Sequence, residues 1–160
     1  MTTFNEQMHP RAGDGTFAVK PVAEAPVDLG YDVLPDRRRM LAPQWAGKED
    51  WELDMIEDGD EVPVVVGDND AQIVDSAMWQ SGRELEDDLA SSAKMIQAAR
   101  RAIFHSYGDR SHAVTEAQWA ILAHSRVPGD SDMSPERESE WVREGAHHLI
   151  NSLIDEDRKS

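Results

Sequence analysis

The residues best equipped for chemistry in this chain are carboxylates, and they are unevenly placed. The 160 residues carry 32 Asp and Glu against 16 Lys and Arg, a net charge of −16. Between residues 48 and 92 there are fifteen acids and only Lys48 and Arg83 as bases, a net −13; segments 1–47 and 93–160 carry −1 and −2. One sign of charge gathered on a compact surface speeds encounter with an oppositely charged surface and penalises wrong partners. The segment therefore reads as a binding face. Its candidate contact residues are Trp51, Glu52, Asp54, Glu57, Asp58, Asp60, Glu61, Asp68 and Asp70, an aromatic anchor ringed by acids. The partner this chemistry expects is a basic protein. If the partner's basic surface is a nucleic-acid-binding groove, the acids stand in for phosphates. Direct nucleic-acid binding is not expected, because so acidic a chain is repelled by phosphates. Arg37-Arg38-Arg39, the only basic triplet, is expected to pair with the chain's own acids.

Other chemistries fit less well. A calcium loop needs acids at its first, third and fifth positions and glycine at the sixth. Asp68 and Asp70 are followed by Gln72 and Ile73, and Asp58 and Asp60 by Val62 and Pro63, so neither register complies. His147 and His148 are adjacent on an expected helix and point about 100° apart, so they do not share an ion. They should flank its apolar face. Nothing in the spacing of His105, His112 and His124 draws those rings together. Without cysteine there is no thiolate site and no disulfide, and no nucleophile-elbow or phosphate-binding glycine motif occurs. The expectation is a non-enzymatic protein with no catalytic residues, cofactor or metal. The missing cysteines and the lack of a basic-then-apolar run over Met1–Pro10 point to the cytoplasm. Nowhere do 18 apolar residues follow one another, so no membrane span is expected.

These residues must be positioned by helices. Leu85, Leu89, Ser92, Ile96, Ala99, Ile103 and Tyr107 follow a 4-3-4-3-4-4 spacing that predicts one helix from Glu84 to Tyr107. Acids crowd its first turn, Arg100, Arg101 and His105 its last, and Gly108 supplies a left-handed stop. Asp68-Asn69-Asp70 should cap a helix to about Ser81, with Ile73, Val74, Ala77 and Met78 inward and a break at Ser81-Gly82. Thr115 and Gln118 form a capping-box pair, with Val114 and Trp119 at the staple positions, for a helix to about His124. Ser134-Pro135 opens the last helix. Its pairs Trp141-Val142, Gly145-Ala146, Leu149-Ile150 and Leu153-Ile154 make a broad face suited to packing on the central helix. Trp79, Trp119 and Trp141 are expected to be packing residues.

Before these helices the pattern is weaker. A short helix over Asp36–Leu41 should end at Pro43. Residues 49–56 suit a strand or a short helix equally. Val62–Val66 reads as an edge strand because of Pro63, with Tyr31–Leu34 or 51–56 as partner, in a hairpin or as an extended segment across helices. Leu, Ile, Val and Phe total 31 residues, about 19%, so the core should be modest, filled out by 18 Ala and seven Met.

Residues 1–30 read as a disordered arm, broken by Pro10, Pro21, Pro26 and Gly13-Asp14-Gly15. Within it, His9-Pro10-Arg11-Ala12-Gly13-Asp14-Gly15-Thr16-Phe17-Ala18-Val19-Lys20 resembles a short leader of small actinobacterial phage and plasmid proteins, some antirestriction-like. The resemblance covers 12 of 160 residues, implies a mobile-element origin and transfers no site. The expected fold is mostly α: residues 31–160 as a single helical domain, a compact bundle of about four helices with a minor β element. A phage assembly component acting through helix–helix self-association is the alternative function. Its signature would be the Leu85–Ile103 seam and the small-residue face of the last helix.

Overall fold

Four apolar stripes become four long helices in the computed structural model, which describes residues 33–57, 60–129 and 131–159. The expected arm 1–30, its leader and Tyr31 lie outside the described residues. In chain order the elements are a 3₁₀ turn (Arg37–Met40), α1 (Pro43–Ala46), α2 (Asp50–Asp54), α3 (Asp70–Ser81) and β1 (Glu84–Leu85). Then come α4 (Asp88–Ser106), α5 (Arg110–His124), β2 (Ser125–Arg126) and α6 (Pro135–Arg158). The described chain is mostly helical with a small two-stranded antiparallel sheet, and residues from Leu34 onward form one compact unit. Around the bundle α3 packs on α6, α6 on α5, α5 on α4, and α4 closes back on α3.

α3 matches its sequence pattern: Ile73, Val74, Ala77 and Met78 are buried, and Gly82 ends the helix at φ 67°, where a side chain would be strained. The Gly82 turn also shortens the central helix. The chain leaves it extended, and Glu84 and Leu85 pair with Arg126 and Ser125 as β1 and β2 instead of starting the helix. Arg83 pins this turn, donating from Nε to Ser125 Oγ (2.8 Å) and from Nη2 to Ser125 O (3.0 Å) while pairing with Glu138 at 3.1 Å. Asp87 then caps α4, its carboxylate accepting from Ala90 N at 3.1 Å. Met95, Ile96, Ala99, Ile103 and Phe104 are buried. At the other end Tyr107, one residue before Gly108, already takes the left-handed conformation (φ 50°).

The cap of α5 is Asp109, six residues before the expected Thr115. Asp109 follows the Gly108 turn directly and accepts from Ser111 N (3.0 Å) and His112 N (3.4 Å), so the orphan amides are met a full turn early. α6 begins as expected, with Ser134 Oγ accepting from Arg137 N at 3.2 Å and Pro135 at its first position. Its small-residue face meets α3 and not the central helix: a Cβ on Gly145 would stand 2.8 Å from Ser81 Cβ and 2.9 Å from Ala77 O. Glycine permits that close crossing.

Two of the three expected packing tryptophans prove to be outside, Trp79 at 81% exposure and Trp119 at 63%. Trp141, 37% exposed, lays its ring against Gly82, where a Cβ would collide with Trp141 Cε3. The inner faces of α3 and α5 are made by Ile73, Val74, Ala77 and Met78 and by Ala113, Val114, Ala117, Ala120 and Ile121. Trp79, two residues past Ala77, lies about 200° away on the opposite side.

The segment before α3 is extended and lies across the bundle. Ala42 N donates to Pro63 O and Val65 N to Met40 O, both at 3.0 Å, around a Leu41–Val64 bridge. Its partner among the described residues is thus 40–42 and not 51–56. Pro43 opens α1, where its missing N–H costs nothing, and the 3₁₀ turn before it is capped by Asp36. Residues 50–54 take the helical alternative as α2, where Glu49 N donates to Glu52 Oε2 at 2.9 Å.

Candidate functional site

The candidate acids separate into those spent inside the fold and those left to solvent. Asp70 belongs to the first group. Arg100 donates to it from both terminal nitrogens at 2.7 Å, Gly67 N adds a third bond at 2.9 Å, and Arg100 also reaches Val65 O at 3.1 Å. The side chains are 5% (Arg100) and 14% (Asp70) exposed, so Asp70 is an internal ion-pair member and not a free contact residue. Gly67 lets the pair approach the backbone: a Cβ there would sit 2.8 Å from Asp70 Oδ1 and 2.9 Å from Arg100 Nη2.

The arginine triplet consumes further acids, as its composition suggested. Arg37 pairs with Asp54, Arg38 with Asp50, and Arg39 with Asp157 at 2.6 Å. Arg37 also lies over the rings of Phe104 (5.2 Å) and Tyr107 (4.7 Å), a cation–π stack that ties the 3₁₀ turn to the end of α4. The hydrogen bond from Arg38 holds the Asp50 carboxyl below its ordinary range, and Asp50 raises Arg38 in return. Asp54 is therefore also partnered internally, although the rest of its surface is open.

What remains free is narrower than the −13 segment. On α2, Trp51 is 64% exposed, Met55 stands beside it in solvent, and Glu52 is occupied with the Glu49 amide. In the following loop Asp60 Oδ2 accepts from Glu57 N at 2.9 Å, and Glu57, Asp60 and Glu61 are exposed. Asp58 lies outside the described residues. Asp68 is exposed at the turn into α3. Among the described residues no ion pair engages Glu57, Asp60, Glu61, Asp68 or Asp75.

Two grooves adjoin these acids, and neither was legible from the sequence. One, of about 320 Å³, lies between α4 and α5; Asp60, Glu61 and Glu116 border a floor that includes Ala98, Ala102 and Ala120, with Trp119 at its edge. The other, of about 710 Å³, lies between α3 and α4 and includes Asp68, Asp70 and Asp75. Alanines on the flanks of the helical stripes were the only sequence signal for either. Short side chains there leave the space between neighbouring helices unfilled.

His147 is held within the fold. Arg110 donates from Nη1 to His147 Nδ1 at 3.1 Å and from Nη2 to Asn151 Oδ1. A guanidinium only donates, so His147 Nδ1 carries a lone pair and the ring is neutral. Burial lowers the His147 pKa, Arg110 and Arg143 push the same way, and Glu144 opposes them. His124 is lowered too, by burial and then Lys94, against Glu86. Among the described residues no three His, Asp or Glu side chains gather as a metal site, and no helix is long and apolar enough to cross a membrane. Comparison with protein-family models, with curated proteins and with solved structures finds no match to this chain.

Proposed function

We propose that this is a non-enzymatic binding protein that offers an acidic surface to a basic protein partner. The observation that carries the reading is the exposed carboxylates without ion pairs, Glu57, Asp60 and Glu61 in the loop after α2 and Asp68 and Asp75 beside the α3–α4 groove, within the segment that holds most of the net charge. Trp51 and Met55, exposed on α2 in the same segment, supply apolar anchorage of the kind that gives a charged interface its affinity. Where the partner's basic surface normally holds nucleic acid, the carboxylates replace phosphates and the protein inhibits by occupancy. The leader-like His9–Lys20 stretch agrees with a phage or plasmid setting, in which such inhibitors act on host proteins. Asp54 and Asp70 drop out of the contact set because arginines of the same chain neutralise them.

The test is capture from a native-host lysate with the full chain and with the variant Glu57→Lys, Asp60→Lys, Glu61→Lys. The wild type should retain basic proteins that the variant loses, and excess duplex DNA should compete for them. An unchanged partner list ends the proposal.

The assembly reading keeps one supporting observation. Its expected signature is used inside the fold, since Ile96, Ala99 and Ile103 are buried and Gly145 faces α3. Trp119 and Leu122, one turn apart and exposed on α5, offer a different apolar face for self-association. Light scattering over a range of concentrations separates the two readings: a constant monomer favours the inhibitor, a stable oligomer the assembly component.

A further inference from the structure

The apolar stripe that runs from Leu85 along α4 outruns the cover that the other described residues provide for it. Met95, Ala99 and Ile103 are sealed in the core, whereas Leu85 and Ser92 are only half-buried. They lie in the groove between α3 and α4, together with Ile96 and the exposed methyls of Ala71 and Ala93. Val66 also borders it, an apolar side chain 78% exposed. The charge along the groove has one sign. Asp68 and Asp75 are exposed and unpaired, Asp70 is neutralised by Arg100, and no Lys or Arg is among the described residues that line it.

We infer that the α3–α4 groove is the docking site for a basic amphipathic helix of a partner protein. The inference rests on the acidic-binding reading above and specifies the form of the partner. Both walls are helices, so an incoming helix can lay its apolar residues, spaced i, i+3, i+4, i+7, between them. The bordering strand β1 is two residues long, too short to template an added strand. α3, with twelve residues, is about 18 Å long, which matches roughly three turns of a docked helix. Cations flanking the apolar face of that helix meet Asp68 and Asp75, while an acidic or neutral amphipathic helix gains nothing from them.

The probe is a fluorescent peptide of roughly fifteen residues, with leucines at the helical spacing and lysines elsewhere, compared with a scramble of the same composition. Anisotropy is read with the full chain in about 0.3 M salt, where charges more than about 6 Å apart are screened. The amphipathic peptide should bind at least about tenfold tighter than the scramble. Ala93→Trp, which fills the groove from an exposed position the fold does not depend on, should weaken it about tenfold, and Asp68→Lys with Asp75→Lys comparably. Glu136→Lys with Glu140→Lys, exposed on α6 and outside both the groove and the acidic segment, should leave it within about threefold. Equal binding of the two peptides, or indifference to Ala93→Trp, overturns the groove assignment while the acidic-surface reading stands. If neither peptide binds, that reading falls as well. Self-association abolished by Ala93→Trp would give the groove to a second copy and overturn the assignment to a foreign helix.

Discussion

Replacing Asp70 by Asn removes one charge from the least exposed ion pair and nearly preserves its shape. Arg100 then keeps its place at 5% exposure without a counter-charge, and one of its two 2.7 Å bonds faces an amide N–H that cannot accept. Removing one member of a buried pair costs about 3–5 kcal/mol; the 14% exposure of Asp70 places the expectation at the lower end, about 3 kcal/mol. For a unit running from Leu34 to Ser160, an unfolding entropy of about 2.1 cal/mol/K per residue gives roughly 0.27 kcal/mol/K. Circular dichroism melting should therefore show Tm lower by about 11 °C. Asp70→Leu with Arg100→Met should recover most of the loss, because it removes both desolvated charges together. Once folded, Asp70→Asn should bind partners like the wild type, since its carboxylate is not available to them. A fall in Tm below about 3 °C would show that solvent screens the pair and would refute the argument.

Other expectations follow from close contacts and buried rings. Gly145→Ala should destabilise by up to about 2 kcal/mol in urea unfolding, because an overpacking cost of about 1–3 kcal/mol against Ser81 and Ala77 is offset by a helix-propensity gain of only about 1 kcal/mol. Folding depresses the His147 pKa below its ordinary 6.5, so the unfolded chain binds more protons; this contribution is complete above pH 6.5 and fades as pH falls through the folded value. Tm measured from pH 7 to pH 5 should accordingly fall less steeply in His147→Gln than in the wild type. Trp79→Ala, on the outer side of α3, should change stability by no more than about 0.5 kcal/mol, the opposite of a core indole.

Periodicity carried the elements that depend on local order. The α3 inner face, the Ser134-Pro135 start of α6 and its apolar pairs were readable because helix registry and capping are set by residues within four positions of one another. The pairing of Arg37, Arg38 and Arg39 with acids of the chain was readable from charge excess alone, though not the identity of each acid. Where two local signals competed, sequence ranked them wrongly. Asp109 won over Thr115 as the α5 cap because the Gly108 turn had already ended α4, and β1 displaced the first turn of α4 because Gly82 set the chain direction.

The site was less legible, because a surface is defined by what fails to meet. Residue order alone established an acidic middle third and, through apolar periodicity, a mostly helical chain. Tertiary structure decided which carboxylates are free: Asp70 faces an arginine thirty positions away, while Asp68, two residues earlier, faces solvent. It also decided that Trp79 and Trp119 lie outside while Trp141 packs on Gly82, and that two grooves open beside α4. The physical reason is that ion pairing and groove width depend on distances between helices, which alanine and glycine contacts set and one-dimensional spacing does not encode.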